Sequence, residues 1–457
     1  MSRNREEHTV TNRLEAQPVV VIGAGPVGLA AAAHLAERGR QFLVLEAGDE
    51  VAAAVSEWGH VRLFSPWRYN IDAAARRLLE AGGWAAPDPD RLPTGAELAD
   101  AYLRPLAKLP ALDGRIRRRA RVEAITRLGF DRVRSHGREA APFLLRLADG
   151  EELLARAVID ASGAWRTPNA LGGHGLRAPG EAAAIADELI LVPLPDVLGA
   201  DRDRFAGRRT VVVGAGHSAA TTLLELAELG QEAPGTEAVW AIRGGSASRA
   251  YGGGEADQLP ARGALGARLR HLVETGKVEL AAGFTTAAVE REGSRIALVG
   301  AEPGQRLVAD VAVNATGFRP DHTIASELRL DLDPILGATR ALAPLIDPNQ
   351  HSCGTVPPHG VDELTHPDPG YYAVGMKSYG RAPTFLLATG YEQVRSVVAA
   401  IAGDWDAARD VRLELPETGV CSSDLAYSGR GLGTGLSGGL RVLPVVDNAP
   451  AQGRCCG

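Results

Sequence analysis

The sequence predicts an α/β fold in which one parallel-sheet unit is interrupted by a second unit of the same design. Two observations carry this. An apolar run closing on a glycine turn, "VVVIGAGPVG" at residues 19–28, returns almost unchanged as "VVVGAGHSA" at 211–219. Each run leads into a helix-period stretch and then a second apolar run, which is the β-α-β syntax of a parallel sheet.

Taken in order, the first unit opens with the strand before Gly23, the alanine-rich helix "LAAAAHLAERG" and the strand "FLVLEAG". Two helices are expected next, over 72–83 and 94–109. Thr94 is the N-cap of the second, with Glu97 three residues on to complete a capping box. "LLARAVIDASG" (153–163) reads as one buried strand ending in a turn, and "RTPNALGGHGLRAPGE" as a Pro/Gly-rich link. The repeat follows as strand, helix "ATTLLELAELG" and strand "AVWAIRGG". "RALAPLI" and "GYYAVGM" then lead back to a final helix, "FLLATGYEQVRSVVAAIAG". The domain boundaries expected from this are a tail at 1–17, a first unit at 18–204 and 319–415, the second unit at 205–318 between them, and a Gly/Ser-rich tail at 416–457.

Composition excludes several classes. The chain has 457 residues, 45% of them hydrophobic and 23% charged, ordinary for a soluble globular protein with a sizeable core. A net charge of −7 and a pI near 5.9 argue against a nucleic-acid partner; "RIRRRAR" (115–121) reads as a solvated edge. The N-terminus is polar and lacks an apolar h-region, and the most apolar stretch, 19–35, is broken by glycines, a proline and His34. A soluble, cytoplasmic protein with no membrane partner is expected. Lysine occurs only at Lys108, Lys277 and Lys377. The four cysteines, Cys353, Cys421, Cys455 and Cys456, form neither a CxxC nor a CxxxxC pair, and no disulfide framework is expected.

Both turns point to dinucleotides. Gly23 allows the tight turn, Gly25 lets backbone approach a pyrophosphate, and Gly28 allows close helix–strand packing. The helix opening at Pro26 adds its amides and positive dipole end. Glu46 closes the next strand, where a carboxylate accepts from a ribose diol. In the second turn Gly214 and Gly216 match, followed by His217 and Ser218, but Ala219 holds the third position. The strand after it ends in Arg243 rather than an acid. An arginine there pairs with a 2′-phosphate that an acid would repel, so NADPH is expected.

With "NATGFRPD" (314–321) added, the chain resembles the two-dinucleotide-binding-domain flavoproteins, and within them the flavin-dependent (FMO-like, class B) monooxygenases. "VIDASGAWRTPN" (158–169) resembles that family's first interdomain crossing, "NATGFRPD" its second, and "LPTGAELADAYL" the segment before its mid-domain strand; the likeness covers 19–403. The resemblance implies an FAD-binding Rossmann-like domain with an inserted NAD(P)H-binding Rossmann-like domain. FAD would lie on Gly23, Gly25, Pro26, Gly28 and Glu46, with Trp58, Gly375, Met376 and Thr384. NADPH would lie on Gly214, Gly216, His217, Ser218, Ala219 and Arg243, with Thr316 and Gly317. The implied activity is a monooxygenase of the C4a-hydroperoxyflavin type, using O2 on a small nucleophilic heteroatom; sulfur, nitrogen and trivalent arsenic are the candidate centres.

The chain departs from that family's pattern. "AAAVSEW" keeps only Trp58 of a GGxW stretch. "NALGGHGLRAPGE" keeps His174 of the FxGxxxHxxx[FY] hallmark but not its aromatics. Ser65 stands where the family has an asparagine near the flavin, within "FSPWRYN", which is either a dry wall of the site or plain core packing. Ser65 and Cys353 are the candidate catalytic residues. Cys353, between His351 and His359, is equally readable as a structural thiol, and no metal site is expected there. Met376 follows Gly375 where disulfide-reductase relatives often place an aspartate. The terminal Cys455–Cys456 resembles the pair with which mercuric reductases capture a thiophilic ion, although the CxxxxC those enzymes also need is absent. Two alternatives stay open: a reductase or oxidase of the same fold without oxygen insertion, and a non-enzymatic metalloid-binding thiol protein.

Overall fold

The computed structural model describes residues 14–252, 260–351, 356–383 and 385–413. In chain order the strands are β1 (Val19–Ile22), β2 (Phe42–Leu45), β3 (Ile116–Arg117), β4 (Val122–Arg127), β5 (Phe143–Leu147), β6 (Glu152–Ala155), β7 (Ala157–Asp160) and β8 (Ile190–Leu191). They continue as β9 (Arg209–Val213), β10 (Glu237–Ile242), β11 (Val278–Ala282), β12 (Thr286–Glu292), β13 (Arg295–Gly300), β14 (Arg306–Ala309), β15 (Val311–Asn314) and β16 (Tyr371–Ala373). The long helices are α1 (Pro26–Glu37), α2 (Ala73–Ala81), α3 (His217–Glu232), α4 (Pro260–Glu274) and α5 (Leu387–Ile401).

Two five-stranded sheets dominate, in the orders β16-β7-β1-β2-β3 and β11-β10-β9-β15-β8. Every pairing in both is parallel. The chain leaves the first sheet after β7, builds the second from β8 to β15, and returns to finish the first with β16, so one α/β unit is inserted in the other. The second sheet recruits β8, which lies before residue 205. Two antiparallel sheets, β4-β5-β6 and β12-β13-β14, complete the described chain.

Burial on both faces explains the unbroken apolar runs. All four residues of β1 are buried, as are Thr210–Val213 of β9. Helix α1 is buried almost all round, from Val27 to Leu35, and its run of alanines lets neighbouring elements approach closely. His34, inside this packing, meets Asp72 through Nε2···Oδ2 at 3.0 Å, and Asp72 in turn caps α2 by accepting from the Ala75 amide.

Two expected elements differ. Residues 153–163 are not one strand: β6 pairs antiparallel with β5, β7 pairs parallel with β1, and the break falls at Arg156, whose guanidinium donates to the Ile401 carbonyl. The helix expected over 94–109 is an α-turn (Gly95–Leu98), a π-segment (Ala99–Leu103) and a second α-turn (Arg104–Ala107). Pro105 has no N–H to offer the Ala101 carbonyl. The helix widens there, and Trp84 Nε1 donates to that carbonyl at 2.9 Å instead. The capping box is present as expected, with Glu97 N donating to Thr94 Oγ1 and Thr94 N to Glu97 Oε2. The basic run 115–121 lies at an edge, with Arg117 paired to Glu151 and Arg119 to Asp49. Among the described residues no helix is long and apolar enough to cross a membrane.

Replacing Thr94 removes one acceptor from this cap without opening a core cavity. Thr94→Ala should lower the unfolding free energy by about 1 kcal/mol, read as a shifted denaturant midpoint at unchanged slope.

Candidate functional site

The two glycine turns sit at the carboxyl ends of β1 and β9. Gly23 has φ +97, and a Cβ on it would stand 2.7 Å from the Ala161 carbonyl oxygen; one on Gly28 would stand 1.9 Å from the Gly23 carbonyl oxygen. Both positions are closed to any side chain. Gly25, between them, is open: a Cβ there would meet nothing within 4 Å. That is the shape a pyrophosphate needs, with two glycines folding the turn and the middle one leaving room at the helix N-terminus. Pro26 is the first residue of α1, and no side chain caps it. Glu46 Oε2 accepts from Ala24 N and Oε1 from Gly48 N, both at 2.7 Å. Its carboxylate thus braces the turn and keeps further lone pairs for a diol.

The second turn repeats the pattern. Gly214 has φ +137, and a Cβ on it would meet the Ala315 oxygen at 2.1 Å, whereas Gly216 is open within 4 Å. Ala219 is fully buried in α3. Arg243 follows the end of β10 and is exposed. Beyond it a cavity of ≈ 490 Å³ is lined by Ser246, Ser248, Tyr251, Arg270 and Glu274 among others. His217, the first residue of α3, packs on Phe64 from the 64–70 loop with ring centroids 5.1 Å apart. The second turn and the loop expected beside the flavin are therefore in contact.

The two crossings between the sheets are fastened to each other. Asn314 Nδ2 donates to the Asn169 carbonyl (2.7 Å), Asn169 Nδ2 to the Thr316 carbonyl (3.0 Å) and Asn169 N to the Gly317 carbonyl (2.8 Å). Arg319 Nε reaches Asn169 Oδ1 at 3.1 Å, and Trp165 packs against Phe318 at 5.2 Å. Thr316 and Gly317, expected to contact the pyridine nucleotide, are engaged in this clasp; the Thr316 hydroxyl donates to Asn314 Oδ1 at 2.7 Å.

Beneath the first turn lies a charged cluster that sequence reasoning missed. Lys377 Nζ donates to Asp160 Oδ2 at 2.6 Å and to Ser162 Oγ at 3.1 Å. Tyr371 donates to Asp160 Oδ2 at 2.9 Å, and Ser162 supplies N–H and O–H to Oδ1. Lys377 and Asp160 are 1% and 0% exposed. Burial opposes ionisation of Asp160, but the Lys377 charge and the donors from Lys377 and Ser162 outweigh it and hold the carboxyl below the ordinary carboxylate range. Burial, then the Asp160 charge, pushes the Tyr371 hydroxyl well above its usual value. Lys377 ends the short turn Gly375–Lys377. Gly375 has φ +68; its amide donates to Gln393 Oε1 at 2.8 Å, and a Cβ on it would stand 3.2 Å from Val27 of α1. Gly375 thus lies against Val27 of α1, beside the first turn, and Met376 next to it is half-buried. One signal existed in the sequence: a lysine in a chain that otherwise uses arginine almost throughout.

The remaining candidates are scattered. Ser65 donates to Asn70 Oδ1 at 3.0 Å, while Asn70 Nδ2 donates to the Ser65 and Pro66 carbonyls. Fully buried Asn70 locks the 64–70 loop, and the sequence reading passed over it. Trp58 lies over the start of the 95–107 helix, 2.7 Å from where a Gly95 Cβ would be. His351 faces the Pro344 carbonyl, while His359 is buried against Gln393 and Tyr379. Cys353, Thr384, Cys455 and Cys456 lie outside the described residues.

Residues 20–352 match the family model of the pyridine nucleotide-disulphide oxidoreductases. The chain belongs to that family. It is an oxidoreductase flavoenzyme, which removes the non-enzymatic thiol-protein alternative. A curated relative, the indole-3-pyruvate monooxygenase YUCCA1 of rice (Oryza sativa subsp. japonica), is 30% identical over 213 residues, 46% of this chain and 45% of its own length. The match thus spans less than half of that relative. Among solved structures, the bacillithiol disulfide reductase Bdr (YpdA) of Bacillus cereus is similar at TM-score 0.61 and 20% identity, over 85% of this chain and 99% of that one. The ornithine N-hydroxylase KtzI of Kutzneria sp. 744 is similar at 0.57 and 17%, over 84% and 99%. These likenesses are of fold.

In this member of the pyridine nucleotide-disulphide oxidoreductases, removing one partner of the buried pair strands the other. Lys377→Met should cost about 3 to 5 kcal/mol of stability, and the double variant K377M/D160N distinctly less, measured by denaturant unfolding. The stabilised carboxylate contributes fully above the ordinary carboxylate pKa of about 4 and is lost as pH falls through the lower folded value. The deficit of K377M should therefore shrink in acid.

Proposed function

We propose that the protein is an FAD- and NADPH-dependent monooxygenase, with FAD on the first turn and NADPH on the second, oxygenating a small nucleophilic heteroatom: sulfur, nitrogen or trivalent arsenic. The observation that carries this is two open nucleotide cradles in a chain with no CxxC or CxxxxC pair. A reductase that works through a CxxC or CxxxxC pair passes hydride electrons through the flavin to that dithiol. Here the electrons have no paired thiol at that spacing to reach, and O2 becomes the acceptor. The 30% identity to a monooxygenase supports the same reading. In balance, NADPH, H⁺, O2 and substrate yield NADP⁺, water and the oxygenated product.

Bound flavin supplies hydride acceptance and the two-electron chemistry of O2. The chain's own residues bind, orient and exclude water. Gly23, Gly25 and Gly28 admit the FAD pyrophosphate, Pro26 opens the helix whose dipole faces it, and the free lone pairs of Glu46 orient a ribose. Gly375 and Met376, in the short turn packed on Val27, together with Trp58 and Thr384, are the further residues assigned to FAD. Gly214, Gly216, His217, Ser218 and Ala219 admit the NADPH pyrophosphate, and exposed Arg243 takes the 2′-phosphate. The Phe64–His217 contact restricts water between the turns. Ser65 and Cys353 are the candidate catalytic residues, and Cys455–Cys456 capture a thiophilic substrate. In domain terms, 18–204 and 319–415 form the FAD unit, apart from β8, which pairs into the sheet of the NADPH unit at 205–318.

A second reading, a reductase or oxidase without oxygen insertion, is favoured by one observation: the hallmark aromatics before Gly214 are missing. Rapid mixing separates the two. Protein reduced anaerobically by NADPH and mixed with O2 should give a blue-shifted absorbance transient before the oxidised spectrum returns. Direct return without the transient selects the oxidase, and no reduction by NADPH rejects the second-turn assignment. Arg243→Gln should raise KM for NADPH roughly 10- to 100-fold while leaving that for NADH nearly unchanged, measured in steady-state flavin reduction.

A further inference from the structure

The two turns hold their first glycine in different ways. In the first, the Gly23 carbonyl packs directly on the third glycine, since a Cβ on Gly28 would stand 1.9 Å from it. In the second, the third position is Ala219, which is fully buried and brings a Cβ where the first turn has none. The Gly214 carbonyl has moved elsewhere: φ is +137 against +97 at Gly23, and its oxygen accepts from Trp240 Nε1 at 2.7 Å.

Trp240 lies in β10, 0% exposed. A trans peptide points its C=O and the following N–H in opposite directions. Pinning the Gly214 carbonyl back toward β10 therefore turns the Ala215 N–H away from the sheet. That is the exposed side, where Gly216 is open within 4 Å. The indole also meets Tyr251, ring centroids 6.0 Å apart, and Tyr251 lines the ≈ 490 Å³ cavity beyond Arg243. One buried side chain thus touches both the turn and the wall of the adjoining cavity.

We propose that Trp240 is a positioning residue for the pyridine nucleotide. Its indole N–H does in the second turn what packing on a third glycine does in the first: it fixes the peptide that aims the Ala215 amide at the pyrophosphate. Ala219 and Trp240 are then a matched pair, each requiring the other. This rests on the second turn being the NADPH site.

The test is calorimetric titration of the flavin-loaded full chain with NADP⁺, with steady-state kinetics beside it. Trp240→Phe keeps the ring and deletes the donor. It should bind NADP⁺ about tenfold more weakly, raise KM for NADPH to match, and leave kcat, flavin stoichiometry and the visible flavin spectrum as in the wild type. Adding Ala219→Gly should recover most of the lost affinity, because a third glycine again accepts the carbonyl; a merely structural tryptophan would not be rescued in this way. If W240F alone does not fold, A219G/W240F carries the test. A double variant that folds, retains flavin and regains NADP⁺ affinity supports the pairing, and one that folds with flavin but binds NADP⁺ poorly overturns it. W240F with wild-type Kd and KM also overturns the inference, with the NADPH site left standing. A wild type that binds no NADP⁺ overturns that site and the inference together.

Discussion

Both nucleotide cradles depend on one constraint, the absence of a side chain at Gly23 and at Gly214. In each unit the volume that a Cβ would take belongs to a carbonyl of the segment leaving a neighbouring strand, Ala161 beside Gly23 and Ala315 beside Gly214. Those two segments are the crossings that carry the chain between sheets. Any side chain at either glycine would push a crossing away from its turn, and with it everything the crossing holds. The positive φ of both residues makes the same demand independently of space.

From that contact the organisation spreads in two directions. Outward, Asn169, Asn314 and Arg319 bind crossing to crossing, so the two turns are referred to a common strut. Inward, Asp160 at the end of β7 takes the ammonium of Lys377 and the hydroxyl of Tyr371. Two ions placed where water does not reach gain little in net stability, because desolvation offsets much of their attraction. They do specify a unique arrangement: Lys377 has its charge compensated only when the 375–377 turn lies over β7, which is also where Gly375 meets Val27 of α1. Burying the lysine thus fixes placement more than it adds stability.

Local signals were legible in the sequence, and contacts between distant residues were not. Glycine spacing, the strand-ending Glu46 and Arg243, and the Thr94–Glu97 box are each written within a single unit, where chemistry and spacing coincide. The Asp160–Lys377 pair joins residues 217 apart and the Asn169–Asn314 clasp residues 145 apart, and nothing local distinguishes such an Asp or Asn from a solvated one. Ser65 drew attention by its position in a motif, whereas Asn70, five residues on, holds the loop. The run at 153–163 reads as one strand because an uninterrupted apolar pattern does not reveal that the chain changes sheets at Arg156.

The turns also differ in exposure, in the direction that their proposed tasks require. Around the first, Ala24, Val27 and Gly28 are buried and Gly25 and Pro26 half-buried, with Gly375 and α5 packed over Val27. Around the second, Ala215, Gly216 and His217 are exposed. A cofactor retained through many turnovers gains from a site walled by several elements, because release then needs those elements to part. A reductant that must enter and leave gains from an open turn, provided the turn stays ordered without the walls. A carbonyl tied to a buried indole supplies that order from behind the site, leaving the approach clear.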